Sequence, residues 1–285
     1  MEPIAPDSSN PAWPDYALLD SGGGAKLERF GPHTILREEL LARHPRTLPP
    51  AEWGNADAHY IKEEGWHLRP GTPDSWPVQF GPLTLKVRPA LGFKHVGLFP
   101  EQAPQWQWLL KADIPETPQP PRLLNLFGHT GAATLAAAHA GYAVTHVDAS
   151  RPAIQHAREN QQLCGLADAP VRWIHEDATQ FVHREHKRDK RYHGILLDPP
   201  AFGRGPKGQT WHIGKDLPAL LPRLLSLLEP SFHFLFLNLY AGDLSTKALQ
   251  PLIESHGHLH HGTFELTAQN GPRLHMAEWL HLGPA

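Results

Sequence analysis

The sequence holds one cysteine, Cys164, so no disulfide can close within the chain, and this suits a reducing cytosol. It has no excess of charge either. Against 26 basic residues stand 29 acidic ones, giving −3 at pH 7, so nothing global steers the chain toward nucleic acid, and any RNA contact must come from local patches. The first twenty residues carry Pro3, Pro6, Pro11 and Pro14 and no apolar stretch, so neither a signal peptide nor a membrane span is expected. The 21 histidines are scattered, with no His-Glu-x-x-His and no paired Cys/His spacing, so they read as ordinary surface or core residues and no structural metal is expected.

What is present is 285 residues, enough for one large core or for a core and a satellite domain. The run Pro115-Glu116-Thr117-Pro118-Gln119-Pro120-Pro121 reads as a linker over 115–121, after a disordered tail at 1–15 and a small β-rich domain at 16–114. In that first part Tyr16–Asp20 and Lys26–Phe30 flank Ser21-Gly22-Gly23-Gly24 like a hairpin, and Leu83–Val87 alternates as a half-buried strand. Gln105–Lys111 reads as a short helix.

From 122 to 285 strand and helix patterns alternate with short connections, the mark of a parallel sheet covered on both faces. Strands are expected at Leu123–Phe127, Ala143–Val147, Val171–His175, Gly194–Leu197 and Phe232–Leu239. Helices are expected at Ala132–Ala140, after Ser150, at Ala178–Lys187, Asp216–Leu228 and Leu244–His256. His258–Leu266 and Met276–Leu282 flank a turn-rich loop and read as a terminal antiparallel pair.

Open parallel sheets bind ligands beyond the carboxyl ends of their strands, and polar residues cluster there three times. In Asn125-Leu126-Phe127-Gly128-His129-Thr130-Gly131, Gly128 permits a tight turn and Gly131 lets backbone approach a ligand at the helix start. Asp148, followed by Ala149 and Ser150, ends the second strand, where an acid can accept both hydroxyls of a ribose; the spacing fits NAD or S-adenosylmethionine. Glu176-Asp177-Ala178 ends the third, where a carboxylate and adjacent backbone suit an adenine amino group, although either acid also serves as a helix N-cap. The third glycine of Gly-x-Gly-x-x-Gly is missing, and the fourth strand delivers Asp-Pro-Pro in place of a hydride-transfer residue. Both features favour the sulfonium cofactor.

Asp198-Pro199-Pro200-Ala201-Phe202 follows the apolar run Ile195–Leu197. A nitrogen conjugated to a base is a poor nucleophile, and Asp198 with the Pro199 carbonyl can accept its N–H bonds as positive character grows. Pro200 stiffens the corner, and Phe202 offers a face for a flipped-out base. Methylation at a pyrimidine carbon needs a thiolate in the same pocket, and Cys164 lies at the far end of a helix, so a nitrogen target is expected. Beside the corner, Arg204-Gly205-Pro206-Lys207-Gly208 with Trp211 and Lys215 reads as a mobile substrate-gripping loop.

These motifs, Leu-Asn-Leu-Phe-Gly-His-Thr-Gly, Val-Asp-Ala-Ser, Ala-Arg-Glu-Asn, Glu-Asp-Ala and Asp-Pro-Pro-Ala-Phe-Gly, resemble the bacterial large-subunit ribosomal RNA methyltransferases from roughly Phe80 onward. The resemblance implies an α/β fold: a Rossmann-like class I methyltransferase domain with a seven-stranded sheet, its last strand antiparallel, after a smaller N-terminal β-rich α+β domain. It further implies that Phe99, Glu101 and Gln102 touch S-adenosylmethionine, and that Asp148, Asp177 and Asp198 carry over by motif position. Ribosomal RNA is the partner it implies, with methyl transfer in the cytoplasm as part of rRNA processing. Two departures stand out: no PUA-type RNA-binding domain is expected before Tyr16, and no thiol follows the fifth strand. A small-molecule or protein methyltransferase, or a non-catalytic cofactor-binding scaffold, are the alternative readings.

Overall fold

The computed structural model describes residues 11–89, 93–114, 119–240, 244–269 and 271–285. It divides into two compact units, Ser9–Pro104 with Glu265–Met276, and Gln105–Phe264 with Ala277–Ala285. Gln105–Leu110 thus groups with the second unit and Glu265–Met276 with the first. Most of the proline run read as a seam, 115–118, and most of the tail, 1–10, lie outside the described residues.

The N-terminal unit holds β1 (Tyr16–Gly22), β2 (Ala25–Phe30), β3 (His33–Glu38), a short helix α1 (Pro50–Gly54), β4 (Ala58–Ile61), β5 (Gly65–Leu68), β6 (Trp76–Phe80) and β7 (Leu83–Val87). The first five strands form one sheet in chain order, and β6 and β7 pair separately. Gly23 and Gly24, both at positive φ, turn β1 into β2, a conformation open to glycine without steric cost. Period-two burial in β6 and β7 gives each hairpin strand one apolar face.

The second unit follows: α2 (Ala103–Leu110, counted here from Gln105), β8 (Arg122–Leu126), α3 (Ala132–His139), β9 (Ala143–Asp148), α4 (Arg151–Leu163), β10 (Val171–His175), α5 (Ala178–Lys187), β11 (Gly194–Leu197), β12 (Phe202–Arg204), β13 (Thr210–His212), α6 (Ile213–Ser226), β14 (Phe234–Tyr240), α7 (Thr246–Ile253), β15 (His258–Thr267, to Phe264 in this unit) and β16 (Arg273–Gly283, from Ala277 in this unit). Its sheet has seven strands in the order β10-β9-β8-β11-β14-β16-β15. From β10 to β14 neighbours run parallel, and β16 runs antiparallel to β14. This is the seven-stranded Rossmann-like sheet with a reversed strand near its end that the resemblance implies. β11 is apolar throughout and β14 nearly so, Asn238 being the polar exception in its buried stretch, as expected of strands covered on both faces.

Local signals set the helix bounds. Ser150 accepts from Ala153 N at 3.3 Å and Asp177 from Gln180 N at 3.0 Å, capping α4 and α5, and α5 ends in Arg184, His186 and Lys187, favoured at a helix C-terminus. Two stretches depart from expectation. The segment read as a mobile glycine loop is the hairpin β12/β13, and α6 starts at Ile213, three residues early, because Asp216 Oδ2 accepts from His212 N at 2.7 Å. Among the described residues no helix is long and apolar enough to cross a membrane, and no group of three or more His, Cys, Asp or Glu could hold a metal ion.

Candidate active site

β8 lies at the centre of the parallel strands, with β9 on one side and β11 on the other, so connections after β8 and β11 diverge and open a crevice beyond the strand tips. Backbone bonds lock the tips together: Gly128 N to Val147 O (3.2 Å), Glu176 N to Asp148 O (3.1 Å) and Asp198 N to Leu126 O (3.3 Å). The loop after β8, Asp148, the Glu176-Asp177 step and Asp198 are therefore brought to one edge by the sheet itself.

The loop is strained in a specific way. Phe127 and His129 both sit at positive φ, uncommon for non-glycine residues, and such backbone persists where surrounding structure over-determines it. Gly131, at φ +85°, starts α3, and a Cβ there would lie 3.0 Å from the Ala157 methyl. Gly128 has a different reason from the tight turn expected of it. Its φ is ordinary, but a Cβ would collide with the His146 ring, which sits directly against it. His146 belongs to a buried chain in which Asn125 Nδ2 donates to Thr134 Oγ1 at 2.8 Å and Thr134 Oγ1 meets His146 Nδ1 at 2.9 Å. Asn125 thus supports the loop from beneath, being only 2% exposed. Burial pushes the His146 imidazole down to about 3, so it stays neutral.

Asp148 is the acid the loop closes on. Its Oδ2 accepts from His129 N at 2.8 Å and its Oδ1 from Ser150 N at 2.7 Å. Loss of solvent raises its carboxyl above the ordinary value, against those two N–H bonds and the nearby His175. A carboxylate has about four lone-pair sites and two are in use, so the chemistry of the site fits a diol donor such as a ribose. Ala149 gives its carbonyl to His175 Nε2 at 2.9 Å. The next acids already have partners: both Glu176 oxygens face Arg184 Nη1, and Asp177 Oδ1 caps α5, with Ala178 buried behind it.

At the β11 tip, Asp198 Oδ1 accepts from Asn238 Nδ2 at 3.3 Å, and Pro199 is buried while Pro200 is exposed. Trp211, read in the sequence as part of the substrate-gripping loop, faces inward. It is 5% exposed, so its ring cannot stack on a base; its Nε1 donates to the Pro200 carbonyl at 2.8 Å and its ring packs on Phe127 at 4.9 Å. One indole thereby couples the Asp-Pro-Pro corner to the β8 loop. Phe202 is 68% exposed, edge-on to His212 at 4.5 Å, and Arg204, Lys207 and Lys215 are exposed on the hairpin and the first turn of α6. Phe99, Glu101 and Gln102 lie in the N-terminal unit, on and before a 3-10 turn, with Glu101 2% exposed and burial raising its carboxyl.

Sequence reasoning missed Asn238, His146 and Gln105. The first two carried a signal, since each is a polar residue interrupting a buried strand; Gln105 carried none.

The family model described as Conserved hypothetical protein 95 matches residues 107–207. The ribosomal RNA large subunit methyltransferase K/L of Shewanella frigidimarina is 34% identical over 118 residues, 41% of this chain and 16% of that protein. Its counterpart in Shewanella loihica is 32% identical over 161 residues, 55% of this chain and 22% of that one. The chain therefore spans about a fifth of the length of these curated relatives. The crystal structure of a SAM-dependent methyltransferase from Agrobacterium tumefaciens matches with a TM-score of 0.90 and 37% identity, covering 97% of this chain and 92% of that one.

Proposed function

The chain belongs to the S-adenosylmethionine-dependent methyltransferases, and from that premise we propose that it methylates a base nitrogen of ribosomal RNA in the cytoplasm. When bound, the cofactor supplies an electrophilic methyl group. The Trp211 bridge carries the reading, because it fixes the Asp198 corner against the very loop that would hold the cofactor. Methyl transfer is an in-line displacement, in which alignment of the reacting atoms is the main contribution an enzyme can make.

On this reading Asp148 takes the ribose hydroxyls, the backbone of Phe127, Gly128 and Gly131 lines the loop, and Asp177 with the Ala178 backbone takes the adenine edge. Asp198 and the Pro199 carbonyl accept the N–H bonds of the target nitrogen, and exposed Phe202 stacks on the base. Arg204, Lys207 and Lys215 hold phosphates. A carbon target is disfavoured because the one thiol, Cys164, sits at the C-cap of α4. The RNA substrate is supported by the names of the curated relatives.

The test is transfer of labelled methyl from S-adenosylmethionine into unmodified cellular RNA and protein, followed by nuclease or protease digestion and nucleoside analysis. N-methylated nucleosides released by nuclease are expected, and Asp198→Ala should remove them while cofactor affinity stays nearly unchanged. A 5-methylcytosine product, or label released only by protease, overturns the assignment.

A further inference from the structure

Asp198 follows Leu197, and the parallel register that sets Leu197 beside Leu237 puts Asn238 next to it on β14. Asn238 Nδ2 donates to Asp198 Oδ1 at 3.3 Å, and Asn238 Oδ1 accepts from Gln105 Nε2 of α2 at 3.1 Å. Both amides are 2% exposed. A carboxylate only accepts, so Asn238 must turn its NH2 toward Asp198; its oxygen then faces Gln105, which must offer an NH2 in turn. One charge therefore sets the direction of both amides. Asn238 interrupts an otherwise apolar stretch, Phe234–Leu239, in which every residue is buried. A buried amide is costly unless its partners are present, so an apolar residue would serve the strand better if packing were the sole demand.

We propose that Asn238, oriented by Gln105, is a positioning residue for methyl transfer: it holds the Asp198 carboxylate ionised and fixes its orientation toward the acceptor nitrogen. This rests on the reading of Asp198 as the acceptor of the substrate N–H. A hydrogen bond to the charged form favours ionisation, so its loss raises the Asp198 carboxyl and moves the acid limb of the kcat profile to higher pH.

The experiment compares Asn238→Leu, Asn238→Asp, Gln105→Glu and Gln105→Leu with the parent enzyme, using kcat against pH, KM for S-adenosylmethionine and thermal unfolding. For Asn238→Leu kcat should fall about 10- to 100-fold, the range of one hydrogen bond to a charged group, with the cofactor KM nearly unchanged. Asn238→Asp adds a like charge beside Asp198, so its acid limb should move to higher pH, and further than in Asn238→Leu. Gln105→Glu, where its new carboxyl is ionised at the alkaline end of the profile, offers Asn238 only acceptors and competes with Asp198 for its NH2, so there it should harm kcat more than Gln105→Leu, which leaves the direction set by Asp198. Equal losses from the two Gln105 variants at that end, or an unmoved acid limb in folded Asn238 variants, overturn the proposal. Retained activity in Asp198→Asn instead removes the underlying reading of Asp198, a result that the Asn238 variants alone cannot produce.

Discussion

The two units bury polarity in different currencies. In the N-terminal unit Arg37 grips Glu28 with Nε to Oε2 at 2.6 Å and Nη2 to Oε1 at 3.0 Å; Tyr16 donates to Glu28 at 3.0 Å, and Lys26 stands 3.5 Å from Glu28 and 3.6 Å from Glu39. Asp20 there is fully buried and takes donors from Ser21, Thr47, Leu48 and Trp53. The methyltransferase unit relies on neutral groups: Asn125–Thr134–His146, Gln105–Asn238, and Asn160 Nδ2 on the Thr130 carbonyl at 2.9 Å. It has buried acids in Asp177 and Glu185, but among the described residues the buried Lys and Arg, Lys26 and Arg37, both belong to the other unit. A site for a sulfonium is repelled by a buried cation, whereas oriented amides and hydroxyls preorganise it without fixed positive charge.

The largest effect expected to separate the units comes from Arg37→Met. It strips Glu28 of its main counter-charge, and breaking a buried pair from one side costs about 3–5 kcal/mol. Thr134→Val, which removes the hydroxyl shared by Asn125 and His146, should cost about 1–3 kcal/mol. Urea midpoints of both variants check the order, and Glu28→Leu added to Arg37→Met should recover much of the loss. If Thr134→Val proved the costlier, the contrast between charged and neutral interiors would fail.

Acid offers the next separation: it destabilises both units, but over different pH windows. Burial holds His146 at about 3 and His281 at about 4, both below the ordinary 6.5, so the unfolded chain binds their protons first. Their contribution is complete above pH 6.5 and is lost as pH falls toward those folded values, at about 1.4 kcal/mol per pH unit for each histidine. In the N-terminal unit Glu28 is buried, yet Arg37 and Lys26 hold it below its ordinary 4.5, and donors hold Asp20 below 3.8 despite desolvation. Their contribution persists until pH drops below those values. Hydrogen exchange at pH 7 and pH 5 should therefore show protection falling in the sheet around β9 and β16 while β2 and β3 hold; simultaneous loss would count against it.

Much of this architecture was legible locally. The Asp177 cap and basic last turn give α5 its observed bounds, Ala178–Lys187, and the apolar run gives β11 as Gly194–Leu197. What escaped is non-local. Gly205, Pro206 and Gly208 speak for a loose loop, yet cross-strand pairing of Phe202–Arg204 with Thr210–His212 makes it a hairpin. Trp211 reads in the sequence as part of a substrate-gripping loop, and only tertiary contact with Phe127 and Pro200 shows that it faces inward. Gln105 and Asn238 are far apart in the chain, and no local pattern links them. Gly128 was recognised as necessary for a reason supplied in fact by His146, on the neighbouring strand. That reason is testable: Gly128→Ala should cost about 1–3 kcal/mol by overpacking and weaken cofactor binding in calorimetric titration, and His146→Ser should restore part of both.

The sharpest comparison sets two indole donors side by side, one from each unit, that differ in the charge of their acceptor. Trp53 Nε1 donates to the buried Asp20 carboxylate at 3.0 Å, and Trp211 Nε1 donates to the neutral Pro200 carbonyl at 2.8 Å. Phenylalanine keeps an apolar ring and deletes the N–H in either place. A bond to a charged group is worth about 1.5–3 kcal/mol and one between neutral groups about 0.5–1.5 kcal/mol, so Trp53→Phe should destabilise more than Trp211→Phe. Function should rank the other way. Trp53→Phe should leave kcat alone, while Trp211→Phe loosens the Asp-Pro-Pro corner and should lower kcat by about 2- to 10-fold with the KM for RNA unchanged. A rise in that KM at constant kcat would instead mean that the indole meets the substrate, and that the hairpin opens to let it.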